Sequence, residues 1–401
     1  MWIATVAIAA LYVGSTVLTP LYPIYRHAFG ISQLTITVVY AVYVVGNLVV
    51  LFLFGRLSDQ IGRRVTTLVA FGLTLLSALT FLLAAGTPEL LLGRAINGFA
   101  AGLGAGALTA WIAELEPRKD RARAAVIASA GNLGGLAVGA MVSGLLAEYA
   151  PAPLRTIWVV FIAVLLVVSL LLTRVDETVA RKVHTLGELE LRPRVGVPAE
   201  IRFPFVAPAC MAFAAFALGG FVSALIPGII TQGLHVSNVA VVGAVVTVFF
   251  LVACLTAALS RKLASWTAMF SGAACVFPAV ALLVCAELLR SMPLLIATAA
   301  MGGAAMALSY RGSLQVLNEI APEDKRAEVV SAYLLMCYLG NSLPVLGVGL
   351  LTTSLEAPRA HEIFAAVVAT LALAAILTGA AGRKRQRRQQ ARAPSSAAAA
   401  S

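Results

Sequence analysis

Long apolar runs separated by short polar connections make up most of the chain between residues 2 and 382. A bilayer core about 30 Å thick needs about 20 consecutive apolar residues in helical form, because a helix satisfies its own backbone hydrogen bonds in lipid. The pattern therefore predicts an all-α membrane protein with twelve transmembrane helices. The predicted spans are roughly residues 3–22, 33–54, 65–85, 90–113, 124–147, 156–173, 205–229, 239–259, 264–285, 293–317, 328–351 and 363–381.

The composition supports this interpretation. Of the 401 residues, 60% are hydrophobic and only 12% are charged, which excludes an ordinary water-soluble domain. The five cysteines all lie within apolar runs and show no ligand-like spacing, so we interpret them as small core residues. The sequence predicts no metal site and no cofactor.

The 29 basic residues, which give the chain a net charge of +11, predict its orientation. Lys and Arg accumulate in the cytoplasmic connections of membrane proteins. If both termini are cytoplasmic, most basic residues lie inside, and only a few lie outside, namely Arg26, Arg155, Arg290 and Arg359. We therefore expect a multi-pass protein of the cell membrane, with its basic connections and tail against an anionic inner leaflet and with no nucleic-acid partner.

The two halves of the chain repeat each other at a fixed sequence offset. Matching pairs include Gly14 with Gly219, Ser32 with Ser237, Pro88 with Pro293, Gly98 with Gly303, Gly135 with Gly340 and Gly144 with Gly349. Such duplication predicts two six-helix bundles related by a pseudo-two-fold axis. We expect bundles at residues 1–173 and 204–382, a cytoplasmic linker at 174–203 and a disordered basic tail at 383–401.

A charged segment from Gly55 to Arg64 connects the second and third predicted spans. Glycine permits a tight connection, and a carboxylate near the N-terminus of a neighbouring helix is favoured by about 0.3 to 1 kcal/mol. We predict a gate here, the alternative being a connection that is basic only because it faces the cytoplasm. The predicted gating residues are Gly55, Asp59, Gly62, Arg63, Arg64 and Glu114.

This segment resembles the motif between helices 2 and 3 of the major facilitator superfamily, in its twelve-helix drug/proton antiporter-like branch. Residues 94–98, Arg-Ala-Ile-Asn-Gly, resemble the family's motif in helix 4. Residues 135–144 align with its motif in helix 5, although Ala140 replaces a proline and Ser143 a glycine. The resemblance covers nearly the whole chain. It implies the fold of that family, transport by alternating access, and a contact between Asp59 and helix 11 that closes the cytoplasmic side.

Polar side chains are concentrated in spans 1, 2, 10 and 11, and the resemblance implies a substrate site at midplane between the halves. Arg94 and Arg311 are the basic residues within predicted spans, where charge is costly and usually functional. Each either hydrogen-bonds backbone carbonyls or binds an anionic group. The predicted cavity residues are Arg94, Asn97, Arg311, Gln315, Thr19, Tyr22, Tyr40, Asn47 and Asn341.

Glycines recur at close spacing in spans 4 and 5. Small residues let helix backbones approach each other in lipid, where hydrophobic association is absent. We therefore predict that these glycines serve helix packing. They are Gly98, Gly102, Gly131, Gly135, Gly139 and Gly144.

The acidic residues and the four histidines all fall in predicted connections or at span ends. This distribution favours an anionic or neutral substrate, because exporters of lipophilic cations often use a buried carboxylate. The leading hypothesis is a monomeric, gradient-driven exporter of a small organic compound, such as a drug or metabolite, with protons as the coupling ion. The alternative is an importer or facilitator of an organic anion or other metabolite.

Two other classes of protein fit the sequence less well. A membrane enzyme would present a cluster of catalytic residues at one depth, and the polar residues form no such cluster. A membrane sensor built on a transporter scaffold would usually carry an additional soluble domain, and the only long polar segments here are the linker and the tail.

Overall fold

A computed structural model of the chain describes residues 1–179 and 195–397, with side chains through Lys384. Within these ranges the regular structure is helical, and twelve helices are long and apolar enough to cross a membrane. The predicted fold class is therefore confirmed. In chain order the spans are α1 Trp2–Phe29, α2 Gln33–Phe54, α3 Arg63–Leu82, α4 Thr87–Glu114, α5 Arg121–Tyr149, α6 Pro153–Leu172, α7 Ala199–Ala224, α8 Val239–Lys262, α9 Ser265–Leu288, α10 Met292–Ile320, α11 Glu323–Leu351 and α12 Ala357–Lys384.

The two ends of the helical bundle differ in what they carry. Because successive spans alternate in direction, the N-terminus, the segment 55–62 and the connection 115–120 lie at one end, here called the motif face. The connections 30–32 and 234–238 lie at the opposite end, here called the far face. The C-terminal end of α12 lies at the motif face.

Several helices extend beyond their predicted bounds. α1 continues to Phe29 through a 3-10 turn at Thr19–Leu21, where Pro20 interrupts the regular hydrogen bonding. α12 begins at Ala357, six residues before the predicted position. Hydrophobicity marks the part of a helix that lies in lipid, whereas capping and backbone hydrogen bonding decide where the helix ends.

The last helix includes most of the predicted basic tail. The last helix runs from Ala357 to Ala397 without a break, since Lys, Arg, Gln and Ala are all favourable in helices. Residues 398–401 and residues 180–194 of the predicted linker lie outside the described residues.

The repeat in the sequence corresponds to equivalent packing in the two bundles. A Cβ atom added at Gly98 would overlap the carbonyl oxygen of Tyr43 in α2, and one added at Gly303 would overlap that of Phe249 in α8. Gly135 lies in the same way against the carbonyl oxygen of Ala9 in α1. Its counterpart in the second bundle, Gly340, lies against that of Phe213 in α7. Each bundle thus has helix pairs in backbone contact at repeat-related glycines.

The two bundles meet along two helix pairs, α5 with α8 and α2 with α11. A Cβ at Gly144 of α5 would lie 3.0 Å from the Cα of Gly243 in α8. At the other pair, Gly349 of α11 lies against Thr37 of α2. These close contacts lie in the halves of the helices nearer the far face, so the bundles are packed together there.

Candidate functional site

A cluster of four tyrosines lies at mid-depth between the bundles. Tyr12, Tyr43, Tyr310 and Tyr338 come from four different helices and lie near one another. All four are half-buried. We call this group the tyrosine cluster. It combines aromatic surface with hydroxyl groups that can donate and accept hydrogen bonds.

Three more side chains border the tyrosine cluster. The ring of Phe216 in α7 packs edge-on against Tyr310 at a centroid distance of 5.5 Å. Asn132 of α5 hydrogen-bonds with Tyr12, and Ser15 of α1 lies 3.0 Å from the hydroxyl of Tyr43. The predicted polar spans 1, 2, 10 and 11 contain all four tyrosines, but neither the tyrosines nor Asn132 and Phe216 were predicted to be cavity residues. An isolated aromatic or amide in an otherwise apolar helix gives little signal of the face it occupies.

Arg94 lies directly behind this cluster and is buried, with 1% of its surface exposed. Its Nη1 donates to the carbonyl oxygen of Ser15 at 3.1 Å, and its Nη2 donates to the hydroxyl of Tyr22 at 2.5 Å. The guanidinium also lies 5.5 to 5.8 Å from the ring centroids of Tyr22, Tyr40 and Tyr43. Cation–π attraction and two hydrogen bonds therefore hold this charge between α1, α2 and α4.

Several polar atoms around Arg94 have no protein partner among the described residues. They are the Nε of Arg94, the Oδ1 of Asn97 one turn along α4, and the Oγ1 of Thr19 in α1. The polar partners of Arg94 are a carbonyl and a hydroxyl, with no carboxylate among the described residues. A buried cation with this set of partners makes the region electropositive, and a buried unpartnered polar atom is rare enough to need an explanation.

Tyr40 connects the two bundles close to Arg94. The hydroxyl of Tyr40 in α2 donates to Oδ1 of Asn341 in α11 at 3.1 Å. Both residues are predicted cavity residues, and the structure brings them together at the seam between the bundles.

The structure places three predicted cavity residues elsewhere. Arg311 donates to the backbone carbonyls of Ser260, Arg261 and Leu263 at the end of α8, near the motif face. Its cationic group therefore stabilises the negative end of a helix, and this geometry corresponds to the backbone-carbonyl alternative of the prediction. Gln315 lies one helical turn nearer the motif face. Asn47 is buried and donates to the carbonyl oxygen of Tyr43 within its own helix.

Two of the predicted gating residues, Asp59 and Glu114, meet at a third, Arg63, the first residue of α3. Its Nη2 lies 2.6 Å from Oδ1 of Asp59 and 2.8 Å from Oε1 of Glu114 at the end of α4. Its Nε also donates to Glu114 at 3.2 Å, and its Nη1 donates to Ser58 at 2.7 Å. This two-pronged contact fixes the connection between α2 and α3 against α4.

The contact of Asp59 with α11 that the resemblance implies is absent from the described part of the chain. The side chain of Asp59 is 57% exposed, and its ion pair is with Arg63 in its own bundle. A carboxylate can reach the partner bundle at the motif face only when the bundles approach there. In this structure the bundles are packed at the far face instead.

In the segment from Gly55 to Arg64, the backbone conformation requires glycine at one of the two glycine positions. Gly62 has φ of 107°, a conformation open to glycine and costly for other residues, and it joins the short helix Leu57–Ile61 to α3. Gly55 has φ of −58°, so the predicted need for glycine in a tight turn does not apply there.

A further carboxylate, Glu177, completes this end of the bundle and was missed by the sequence analysis. It follows α6 and accepts the backbone N–H groups of Arg63 at 2.9 Å and Arg64 at 3.2 Å, thereby capping α3. Burial tends to raise the pKa of the Glu177 carboxyl, but its hydrogen bonds with backbone N–H groups outweigh burial and lower the pKa from its ordinary value. A cap supplied by a residue distant in sequence has no local signature.

The structure also corrects the expectation that His361 lies in a connection. It belongs to α12, is 5% exposed, and its Nδ1 lies 2.6 Å from Oε1 of Glu287 at the end of α9. Its ring packs edge-on against Phe221 of α7. The polar pair therefore fastens α7, α9 and α12 together near the far face.

Comparison with known proteins places this arrangement among membrane transporters. The sequence model of the family described as Major Facilitator Superfamily matches residues 4–345. The quinolone resistance protein NorA of Staphylococcus aureus is 26% identical over 140 residues, which cover 34% of this chain and 36% of that protein.

Solved structures share the fold along nearly the whole chain. The nucleoside transporter NupG superposes with a TM-score of 0.73 at 15% identity and covers 94% of this chain and 98% of its own. The xylose transporter XylE from E. coli, in an inward open conformation, gives a TM-score of 0.71 at 15% identity over 93% of this chain and 94% of its own.

Proposed function

The chain belongs to the Major Facilitator Superfamily, and we propose that it exports a small organic solute across the cell membrane. As a member of that family it is a multi-pass secondary transporter and not an enzyme. The proposal concerns its direction, its substrate class, its coupling ion and the residues that act.

The observation that carries the proposal is the tyrosine cluster, placed at mid-depth between two bundles that are packed together at the far face. Alternating access requires a central site that each bundle lines in part, with closure at one end at a time. The cluster draws Tyr12 and Tyr43 from one bundle and Tyr310 and Tyr338 from the other. Rocking of the bundles would therefore change the exposure of all four residues together.

We assign the motif face to the cytoplasm. The connections at that face carry most of the basic residues, and Lys and Arg are retained on the cytoplasmic side. The structure then corresponds to a state closed toward the outside. In the opposite state the motif face closes, and Asp59 becomes available to the N-terminal end of α11.

The substrate class follows from the lining of the site. Tyrosine rings favour a planar, partly aromatic solute, and their hydroxyls favour one with polar substituents. Arg94 adds positive potential without a carboxylate partner among the described residues. A carboxylate or carbonyl of the solute would complement this potential and the free Nε of Arg94. We therefore propose a neutral, zwitterionic or anionic organic substrate.

Direction rests on sequence likeness. Resistance to quinolones, the property in the name of NorA, is what removal of a toxic compound from the cell produces. The 140 matched residues support export for this chain, whereas the shared fold of nucleoside and xylose transporters supports transport without a direction. We further propose a monomeric transporter driven by the proton gradient.

Export is testable with the full chain in proteoliposomes that carry an imposed pH gradient. The probes are a fluoroquinolone, a simple aromatic carboxylate, a lipophilic cation, uridine and xylose. We expect proton-driven movement of the first two. Uptake of uridine or xylose without a gradient would support the alternative, an importer or facilitator, and preference for the lipophilic cation would contradict the assigned substrate class.

Tyrosine variants test the site itself. Tyr310→Phe and Tyr338→Phe each remove one hydroxyl from the tyrosine cluster, and we expect each to raise the KM for the transported probe by about three- to tenfold, the range of one hydrogen bond. Tyr25→Phe is the matched control, because Tyr25 is buried against Trp158 within the first bundle. An equal rise in KM for all three variants would contradict the assignment of the tyrosine cluster as the substrate site.

A further inference from the structure

A carboxylate of one bundle caps a helix of the other bundle at the far face. Oε2 of Glu148, near the end of α5, accepts the backbone N–H of Val239, the first residue of α8, at 2.7 Å. Asn238 caps the next two N–H groups of α8 through its own side chain, at 2.9 and 3.3 Å. The first turn of α8 is thus satisfied partly by its own bundle and partly by the other.

The contact is favourable for a physical reason that depends on closure. The N-terminal N–H groups of a helix lack partners inside the helix and carry partial positive charge. A carboxylate binds them through a charge-assisted hydrogen bond. When the bundles separate, both groups exchange this bond for water, so the interaction stabilises only the state in which the far face is closed.

The rest of the seam between α5 and α8 shows why this position matters. Nearer the centre, Thr247 of α8 donates to the carbonyl oxygen of Ala137 at 3.0 Å. Between the two points, Gly144 and Gly243 bring the backbones into contact. Glu148 lies near the outer end of this line of contacts, where Nδ2 of Asn238 also donates to the hydroxyl of Tyr149 at 3.4 Å. A rotation of one bundle against the other about the midplane therefore separates these outer contacts farther than the contacts near the centre.

We propose that Glu148 is the latch of the far face, which holds that face closed by capping α8 across the two bundles. The inference rests on the proposed alternation of the bundles and adds the residue that sets its equilibrium at this end. It uses the same interaction of a carboxylate with a helix N-terminus that the resemblance assigns to Asp59 at the motif face. The two faces would then close alternately, each through a carboxylate of the first bundle that binds the N-terminus of a helix in the second bundle.

The test measures the conformational equilibrium directly. Nitroxide labels are attached to cysteines introduced at Ala28 and Ser354, which are exposed at the far face in different bundles, in the full chain without its native cysteines and in lipid nanodiscs. Distances are measured by pulsed electron paramagnetic resonance. We expect Glu148→Gln to increase the ratio of far-face-open to far-face-closed molecules about two- to fivefold, the range for one charge at a helix terminus.

Two further variants separate a latch from a general effect. Glu356→Gln removes the same charge from an exposed position of the far face and should leave the distance distribution unchanged. In the Glu148→Gln background, Asn238→Asp returns a carboxylate to the start of α8 from its own bundle. It should restore the stability of α8 but leave the far face open.

The outcomes are distinct. The proposal would be wrong if Glu148→Gln left the distribution of label distances unchanged, or if Asn238→Asp restored the far-face-closed distribution. Because the readout is a distance and not transport, a failure of the proposed export would leave this result intact. Size-exclusion chromatography identifies a variant that does not fold. If Glu148→Gln does not fold, Glu148→Asp, which shortens the side chain by one methylene, is measured instead, and we expect it to open the far face to a smaller extent.

Discussion

Arg63 shows how one side chain at a helix start can position three elements. It contacts Asp59 and Ser58 in the preceding connection and Glu114 at the end of α4, and 10% of its side chain is exposed. Guanidinium geometry allows several hydrogen bonds at once, whereas an ammonium group offers a single point charge.

Arg63→Lys tests this geometry at constant charge. We expect a decrease of about 1 to 3 kcal/mol in the free energy of unfolding, since bidentate bonds to a carboxylate are lost, measured by thermal or denaturant unfolding in detergent. Arg64→Lys is the control, because among the described residues the side chain of Arg64 hydrogen-bonds only the carbonyl oxygen of Thr173, and its change should stay within about 0.5 kcal/mol. Equal losses in both variants would contradict the special role of Arg63.

The contribution of Glu177 to the stability of the fold depends on pH. Its folded-state pKa is lowered, so its contribution to stability is fully present above the ordinary Glu pKa of about 4.3 and is lost as the pH falls through the lower folded-state value. We expect Glu177→Gln to unfold at a lower temperature than the native chain at pH 7, and the gap to close below about pH 4. A gap that is constant from pH 7 to pH 3 would mean that charge is not the cause.

At the scale of helices, glycines decide which faces meet. Gly135 and Gly134 are neighbours in α5, yet a Cβ at Gly135 would overlap the backbone of Ala9 in α1, whereas one at Gly134 would meet no atom within 4 Å. Periodicity in the sequence indicates that one face is glycine-rich. The identity of the partner helix appears only when the bundle is assembled.

Alanine substitutions at Gly135 and Gly134 should change the stability of the fold in opposite directions. Gly135→Ala should destabilise the fold by about 1 to 3 kcal/mol, because two backbones must move apart to relieve the overlap. Gly134→Ala should be neutral or stabilise by up to about 1 kcal/mol, the difference in helix propensity between the two residues. Unfolding midpoints of both variants in the same detergent give the answer, and destabilisation of equal size in both would contradict the assignment of α1 as the partner of Gly135.

At the scale of the whole molecule, the two bundles meet along two seams near the far face. Gly349 of α11 lies against Thr37 of α2 near the far face, and Gly347, two residues earlier, has no neighbouring atom within 4 Å of an added Cβ. A larger side chain at the first position would act as a wedge between the bundles.

We therefore expect Gly349→Val to favour the far-face-open state and to lengthen the distance between labels at positions 28 and 354. Gly347→Val should leave this distance distribution as it is in the native chain. If Gly349→Val unfolds the protein without opening it, the smaller Gly349→Ala provides the measurement. A closed distribution in folded Gly349→Ala would show that this seam does not control the far face.

The sequence by itself determined the features that depend on local pattern. Apolar runs of membrane length predicted twelve helices, because lipid forces each run to satisfy its own backbone hydrogen bonds. The repeat predicted two bundles, and residues 55–64 indicated a family whose model matches most of the chain. Asp59, Arg63 and Glu114 were also expected together, and the structure brings them into one ion-pair network.

Tertiary structure alone decided which distant residues share a contact. Arg94 and Arg311 look alike in the sequence, yet one is enclosed by tyrosines and the other caps α8, because their surroundings come from helices far away along the chain. The tyrosine cluster and the Glu148 cap on α8 likewise join separate bundles. Local pattern specifies which segments become helices, but the depth, rotation and pairing of those helices depend on packing of the whole bundle, and these set where charge and aromatic surface converge.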